Sequence, residues 1–492
     1  MFTLNTSKGS VSISRFAGPF INNKFQPSLA ALPATRKLLN PCTEALIETV
    51  QEASPEDVDL AVKSAQSALQ GPWKSYSGKR RRNVLLAIAT ALEQNMLKLT
   101  ALEAACGKPL EEAKYDIDEA IECFRYFAGH ADKLHGQNYQ TEDGFKSFTV
   151  RKPVGVCGLI TSFNYPLVLA AWKIAPALAC GNAVILKPAP QTPLSSLMLG
   201  ELIAKHTDLP AGVFSVLPGG EAVGSAIVSH KGIRKCSFTG SGNVGRKVMS
   251  GAATSNLKSV TLELGGKSPL IVFADADLDQ AVEDVFGAIF SNMGQNCCAG
   301  SRLFLEAGIE SDFLRKLKAR VLKVKIGDSL DGAYDFGAMV DRAQFDRVMA
   351  FIENAKKEGK AELLVGGQRY GDKGCFIEPT VFYNVDDEAT LAKEEIFGPV
   401  LSVMKPFTSM EEVLRRANAT PYGLASGVWT RDLGKAEHLV QELETGVTWV
   451  NCYNLCSSHL PFGGVKESGF GKDLGAEALN EYTTVKAVTI RA

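Results

Sequence analysis

Residues 291–302 read SNMGQNCCAGSR and set two adjacent cysteines, Cys297 and Cys298, in a frame of glycine, asparagine, glutamine and serine. A structural cysteine behaves as a small buried hydrophobe and needs no flanking glycines. A nucleophilic one needs backbone that lets substrate come close and donors that favour the thiolate. Two core cysteines beside a turn is the competing reading. Residues 261–269, TLELGGKSP, end an apolar, strand-like run on Glu263 just before a Gly-Gly turn. A carboxylate there either caps an edge strand or acts as a general base, taking a proton from a thiol or from water.

Four further groups could carry chemistry. FTGSGNVG, residues 238–245, meets a helix-forming segment, and glycines there let a phosphate approach backbone donors at a helix N-terminus. A tight strand-to-helix turn in any α/β fold would look the same. Lys187, in ILKPAPQTP, is either a solvated lysine or an ammonium placed to bond ribose hydroxyls. Glu395 and Phe397, in KEEIFGPV, read equally as a helix-end acid beside a core aromatic. Asn164, in TSFNYP, is by itself a turn residue.

The elements that must position these groups alternate from residue 154 onward. VGVCGLIT, AVILKPA, VFSVLPG and KCSFTG are β-rich runs, each followed by a helical pattern, which predicts βαβ units and a parallel sheet covered on both faces. Ligands of such sheets bind beyond the C-terminal ends of the strands. Runs at 269–272, 301–306, 399–406 and 446–450 predict a second α/β unit. Upstream, short strands and turns are expected over 20–50. A helix start follows at Ser54-Pro55-Glu56, with amphipathic helices over 81–100, 101–106 and 113–134. The β-rich end, 482–491, is expected to pair with another segment or another subunit.

Taken together, LELGGK, GQNCCAG and the 34 positions between Glu263 and Cys297 resemble the aldehyde dehydrogenase superfamily, from about Phe20 to the C-terminus. The resemblance selects Cys297 over Cys298 as the nucleophile. It implies a Rossmann-like cofactor domain (1–130 and 154–262), an α/β catalytic domain (263–467) and a small β oligomerisation element (131–153 and 468–492) that forms a homodimer or homotetramer. It implies NAD or NADP as cofactor, held by Lys187, Gly240, Ser241, Gly245, Glu395 and Phe397, with Phe163 and Leu264 alongside. The middle glycine, Gly242, is not required by the family turn. Where many NAD-preferring relatives carry a glutamate three positions after the lysine, this chain has Pro190, which removes one ribose clamp and one repulsion against a 2'-phosphate.

The implied reaction is non-acylating aldehyde oxidation. Thiolate attack gives a thiohemiacetal whose oxygen is stabilised by Asn164, hydride loss gives a thioester, and water activated by Glu263 hydrolyses it. Lys173 and Asp473 match positions of a proton relay, with aspartate where relatives usually carry glutamate. Retention of Glu263 argues against a CoA-acylating relative, which needs no hydrolytic base. Cys297, Glu263 and Asn164 together argue against a structural descendant without turnover. Tyr165 and Trp172, seven apart on one helical face, form a partial aromatic box for a cationic group, or ordinary core packing. With Cys456, Phe462 and the acids Glu119 and Glu122 they resemble the substrate mouth of betaine aldehyde and aminoaldehyde dehydrogenases. The alternative is a broad-specificity enzyme for aliphatic and aromatic aldehydes.

Composition narrows the rest. At 492 residues the chain is too long for one ordinary core. Its 53 basic and 54 acidic residues leave a net charge of -1 and no long like-charge run, which speaks against nucleic acid as a partner. No apolar run approaches the ~20 residues of a spanning helix. Eleven cysteines without a CxxC pair or a repeating spacing fit a reducing compartment and no metal site. A cytoplasmic enzyme is expected. The Ser-rich opening with Lys8 and Arg15 raises mitochondrial import as the competing reading.

Overall fold

The computed structural model describes residues 1–491, which form two large sheets, a three-stranded one and two two-stranded hairpins. In the first sheet, Val156–Ile160, Ala183–Lys187 and Lys235–Thr239 are buried at every position, as parallel strands covered on both faces must be. From Val156–Ile160 the sheet grows through Ala183–Lys187 and Phe214–Val216 on one side. On the other side come Lys235–Thr239 and Ser259–Glu263. The order therefore switches direction beside Val156–Ile160, and a crevice opens there at the C-terminal strand ends. Gly469–Phe470, which the boundary at 468 puts in the oligomerisation element, pairs antiparallel with Ser259–Glu263 at the edge of this sheet.

The second sheet orders Glu362–Val365, Thr380–Val385, Val400–Met404, Arg302–Leu305, Pro269–Val272, Ala425–Trp429 and Val447–Val450. Its apolar core is separate from those flanking the first sheet. The third sheet is local: Thr483–Arg491 pairs with Phe145–Pro153 of the same chain over nine positions, and Asn138–Tyr139 pairs with the other edge.

The expected helices over 81–100 and 101–106 are instead Gly78–Gln94 and Met96–Ala104, divided at Asn95. The amide of Asn95 bonds the carbonyl of Ala91, which occupies the last turn of the first helix. The helix expected over 113–134 is Leu110–His130. The Ser-rich opening folds as the hairpin Phe2–Thr6/Gly9–Ile13, burying Leu4, Val11 and Ile13, and Ser7 N–H donates to the Leu330 carbonyl. Among the described residues no helix is long and apolar enough to cross a membrane.

Candidate active site

Between the two large sheets, every residue from 292 to 300 is buried except Cys297. The helix Leu278–Phe290 ends in a turn in which Asn292 and Met293 both adopt left-handed backbone (φ 50° and 55°), and this turn delivers the cysteine pair. Cys298 turns inward. Its Sγ lies 3.2 Å from Asn296 Oδ1, and its pKa is pushed well above the ordinary thiol value by its hydrogen bond with Cys297, with burial adding to the shift.

Two cavities meet at Cys297. One, of about 200 Å³, is lined by Tyr165, Val168, Leu169, Trp172, Cys456 and Phe462, with Glu112, Tyr115, Asp116 and Glu119 on its helical wall. The other, of about 380 Å³, is lined by Phe163, Asn164, Gly240, Ser241, Glu263, Leu264, Glu395 and Phe397. It shares Ser162, Phe163, Thr239, Gly240 and Ser241 with a crevice of about 640 Å³ that reaches Lys187. Cys297 is the one residue common to the first two cavities.

Glu263 ends its strand at 6 % exposure, and neither carboxylate oxygen has a hydrogen-bond partner. Burial pushes its carboxyl well above the usual range. The negative charge of Asp473 adds to this and Lys173 opposes it. Lys173 and Asp473 form a buried ion pair at 2.6 Å. No side chain bridges that pair to Glu263. Asp473 and Phe462 also exchange backbone hydrogen bonds, at 2.7 and 2.9 Å, so the partner of Lys173 and a wall of the smaller cavity share one short antiparallel bridge.

Sequence similarity accounts for this arrangement. The sequence profile of the aldehyde dehydrogenase family matches residues 30–488. The chain belongs to the aldehyde dehydrogenase family. It is 47 % identical over 482 residues to the human retinaldehyde dehydrogenase 3, covering 97 % of this chain and 93 % of that protein. The NAD+ complex of an aldehyde dehydrogenase from Bacillus cereus superposes with a TM-score of 0.93 at 42 % identity, covering 96 % of each chain. A betaine aldehyde dehydrogenase from Staphylococcus aureus, also in complex with NAD+, gives 0.93 at 35 % identity over 97 % of this chain and 95 % of that one.

The protein is thus an oxidoreductase of aldehydes that uses NAD(P)+, which when bound accepts the hydride. The crevice fits such a cofactor: the hydroxyls of Thr161 and Thr239, at its strand ends, are buried without partners. Lys187 is buried, with Nζ bonded only to the Pro188 carbonyl, and burial lowers its pKa to about 8, with Glu52 opposing and Arg36 adding. Glu395 Oε1 accepts from Gly266 N–H at 3.2 Å, and burial raises its carboxyl to about 7. A side chain at Gly265 would collide with that carboxylate. Phe397 takes a left-handed backbone (φ 59°) and meets Phe163 edge-on at 5.6 Å.

Three expectations need correction in this aldehyde dehydrogenase. Gly245 does not line the crevice. A β-carbon there would lie 2.8 Å from Leu264 Cδ2, so its role is close packing of the helix Gly242–Ser255 on the sheet. One face of the Tyr165 ring is taken by Lys108 Nζ, 4.0 Å from its centroid, although the residue still lines the smaller cavity; Lys108 also pairs with buried Asp116. Trp172 packs against Phe462 at 5.1 Å. Glu122 pairs with Arg125 and is absent from the cavity wall that includes Glu119.

Residues that sequence reasoning missed are mostly clamps from distant elements. Arg347 donates to the carbonyls of Glu395 and Ile396, and Gln344 to that of Phe397, so the helix Arg342–Glu358 holds the segment by which Glu395 and Phe397 line the cavity of about 380 Å³. Nothing local in VDRAQFDRV announces this. Lys108 and Glu112 were equally silent.

Proposed function

We propose that Cys297 is the nucleophile that attacks the aldehyde carbon, and that Glu263 activates water for hydrolysis of the resulting thioester. The observation that carries this reading is the position of Cys297 at the junction of the two cavities. Only there does a thiol face both an aldehyde and a cofactor. Asn164 lines the cofactor side of that junction, where its amide suits the developing oxyanion. Lys173 and Asp473 return the proton from Glu263 through solvent, since no side chain spans the gap.

The substrate we infer is an uncharged aliphatic or aromatic aldehyde of broad range. Lys108 already occupies a face of Tyr165, and Val168, Leu169, Trp172 and Phe462 present apolar surface. The retinaldehyde named for the human relative is of this class. One observation favours the aminoaldehyde or betaine aldehyde reading: Glu119, a carboxylate, lines the same cavity beside Tyr115. Initial rates with hexanal, benzaldehyde, betaine aldehyde and 4-aminobutyraldehyde, each with both cofactors, separate the two. Higher kcat/KM for hexanal and benzaldehyde is the expected result, and a preference for the cations replaces it with the second reading.

Cofactor, catalytic and oligomerisation units follow the boundaries given above, except for the strand Gly469–Phe470. Eleven free cysteines support a cytoplasmic setting. The exposed apolar side chains of Val485 and Ile490 on the outer strand support assembly into a homodimer or homotetramer.

A further inference from the structure

The turn that delivers Cys297 is held in a conformation its own residues do not favour. Asn292, Met293 and Gly294 are successively left-handed, with φ of 50°, 55° and 68°. Glycine adopts this backbone freely and asparagine tolerates it, but methionine does not. Such a turn persists only when its surroundings over-determine it.

Four hydrogen bonds do so. Glu112 Oε2 accepts from the Asn292 backbone N–H at 2.8 Å. Asn292 Nδ2 donates to the carbonyls of Asn164, at 2.9 Å, and Gln295, at 3.1 Å. Gln295 Oε1 in turn accepts from Val340 N–H at 3.0 Å. Of these anchors, only Glu112 lies in the wall of the substrate cavity.

A carboxylate in that wall invites the simpler view that it meets a cationic substrate. The geometry points elsewhere, because one oxygen is committed to a backbone donor of the nucleophile turn. Burying a carboxylate is costly unless its hydrogen bonds compensate. Burial raises Glu112 to about 7, with Lys108 and the Asn292 N–H both opposing that rise.

We propose that Glu112 is a positioning residue for catalysis: by accepting the Asn292 N–H it fixes the left-handed turn, and through Asn292 it sets Cys297 and Asn164 relative to each other. Glu112 touches no reacting atom in this scheme. Its effect is on how often the thiol and the oxyanion amide are in register.

The proposal rests on Cys297 as the nucleophile, and the experiment keeps the two apart. Wild type, Glu112→Ala and Glu112→Gln are compared in three assays: kcat, the rate of iodoacetamide alkylation with the labelled peptide identified, and NAD+ affinity by calorimetry. Glutamine keeps a carbonyl acceptor for the Asn292 N–H. Alanine should lower kcat about 10- to 100-fold and alter the alkylation rate, with NAD+ affinity unchanged, because a buried hydrogen bond to a charged group is lost. Glutamine should restore both rates to within about threefold. Wild-type rates in the alanine variant overturn the proposal, as does a glutamine variant as defective as alanine. An alanine variant that fails to bind NAD+ transfers the decision to glutamine alone. Labelling of Cys298 in the wild type overturns the nucleophile assignment instead.

Discussion

Which of two adjacent thiols reacts is decided by exposure, since both carry the same sulfur and the same loop. Cys297→Ala should reduce turnover to below about a thousandth while NAD+ binding, followed by calorimetry, stays intact. Cys298→Ala should remain active. Glu263 makes a claim about pH. Its carboxyl is held well above the ordinary range, so it is protonated at low pH and becomes a base only as pH rises through that elevated value. Where hydrolysis limits turnover, kcat should rise with pH along one limb. Glu263→Gln should abolish that limb and lower steady turnover about 100- to 10,000-fold, leaving a first burst of reduced cofactor visible by absorbance. These residues were legible in the sequence because Gly-Gly turns and glycine-flanked cysteines are local signals. Glu112, Lys108 and Arg347 were not, because each acts on a partner more than forty positions away.

Elements carry the cofactor choice. The antiparallel hairpin Thr35–Leu39/Leu46–Gln51 brings Arg36 beside Glu52, with Arg36 Nε 2.6 Å from Glu52 Oε1, and the charges of both reach Lys187 in the wall of the crevice. With proline at position 190, Glu52 is the carboxylate whose charge acts on Lys187, and it is expected to disfavour a 2'-phosphate carrying nearly two negative charges. Glu52→Gln should raise the NADP+ to NAD+ ratio of kcat/KM. At the roughly 1 kcal/mol of a part-exposed charge pair, the change is about fivefold. An unchanged ratio assigns the choice to another group. Most strands of both sheets were readable as apolar runs, but Glu362–Val365, Thr380–Val385 and Ala425–Trp429 were not; in the last, ASGVW, small residues dilute the β signal. The helix break at Asn95 was missed because the segment's apolar periodicity continues past it.

At the scale of the molecule, connected cavities lead from Lys187 past Cys297 to Trp172 and Phe462, and the small third sheet lies apart from them. That outer sheet exposes Val485 at 61 % and Ile490 at 49 %. Val485→Asp should shift sedimentation toward smaller species; a mass equal to wild type places the subunit contact elsewhere. The alternation of strand and helix made the α/β architecture legible early, whereas the meeting of two cavities at one thiol is a tertiary fact that no window of sequence contains.

The bridge between Phe462 and Asp473 bears on how such an enzyme adapts. A lineage acquiring a new substrate would most readily alter Phe462, since it faces the cavity and its ring meets Trp172. Yet its backbone is tied on both hydrogen-bonding sides to the acid that pairs with Lys173. Side-chain exchanges that leave this short ladder in place are open to selection, while insertions or prolines here would disturb the Lys173–Asp473 pair as well. Changes of diet are therefore easier to reach from the Leu110–His130 wall, which is free of that tie, and Tyr115 and Glu119 are the positions at which to look for them.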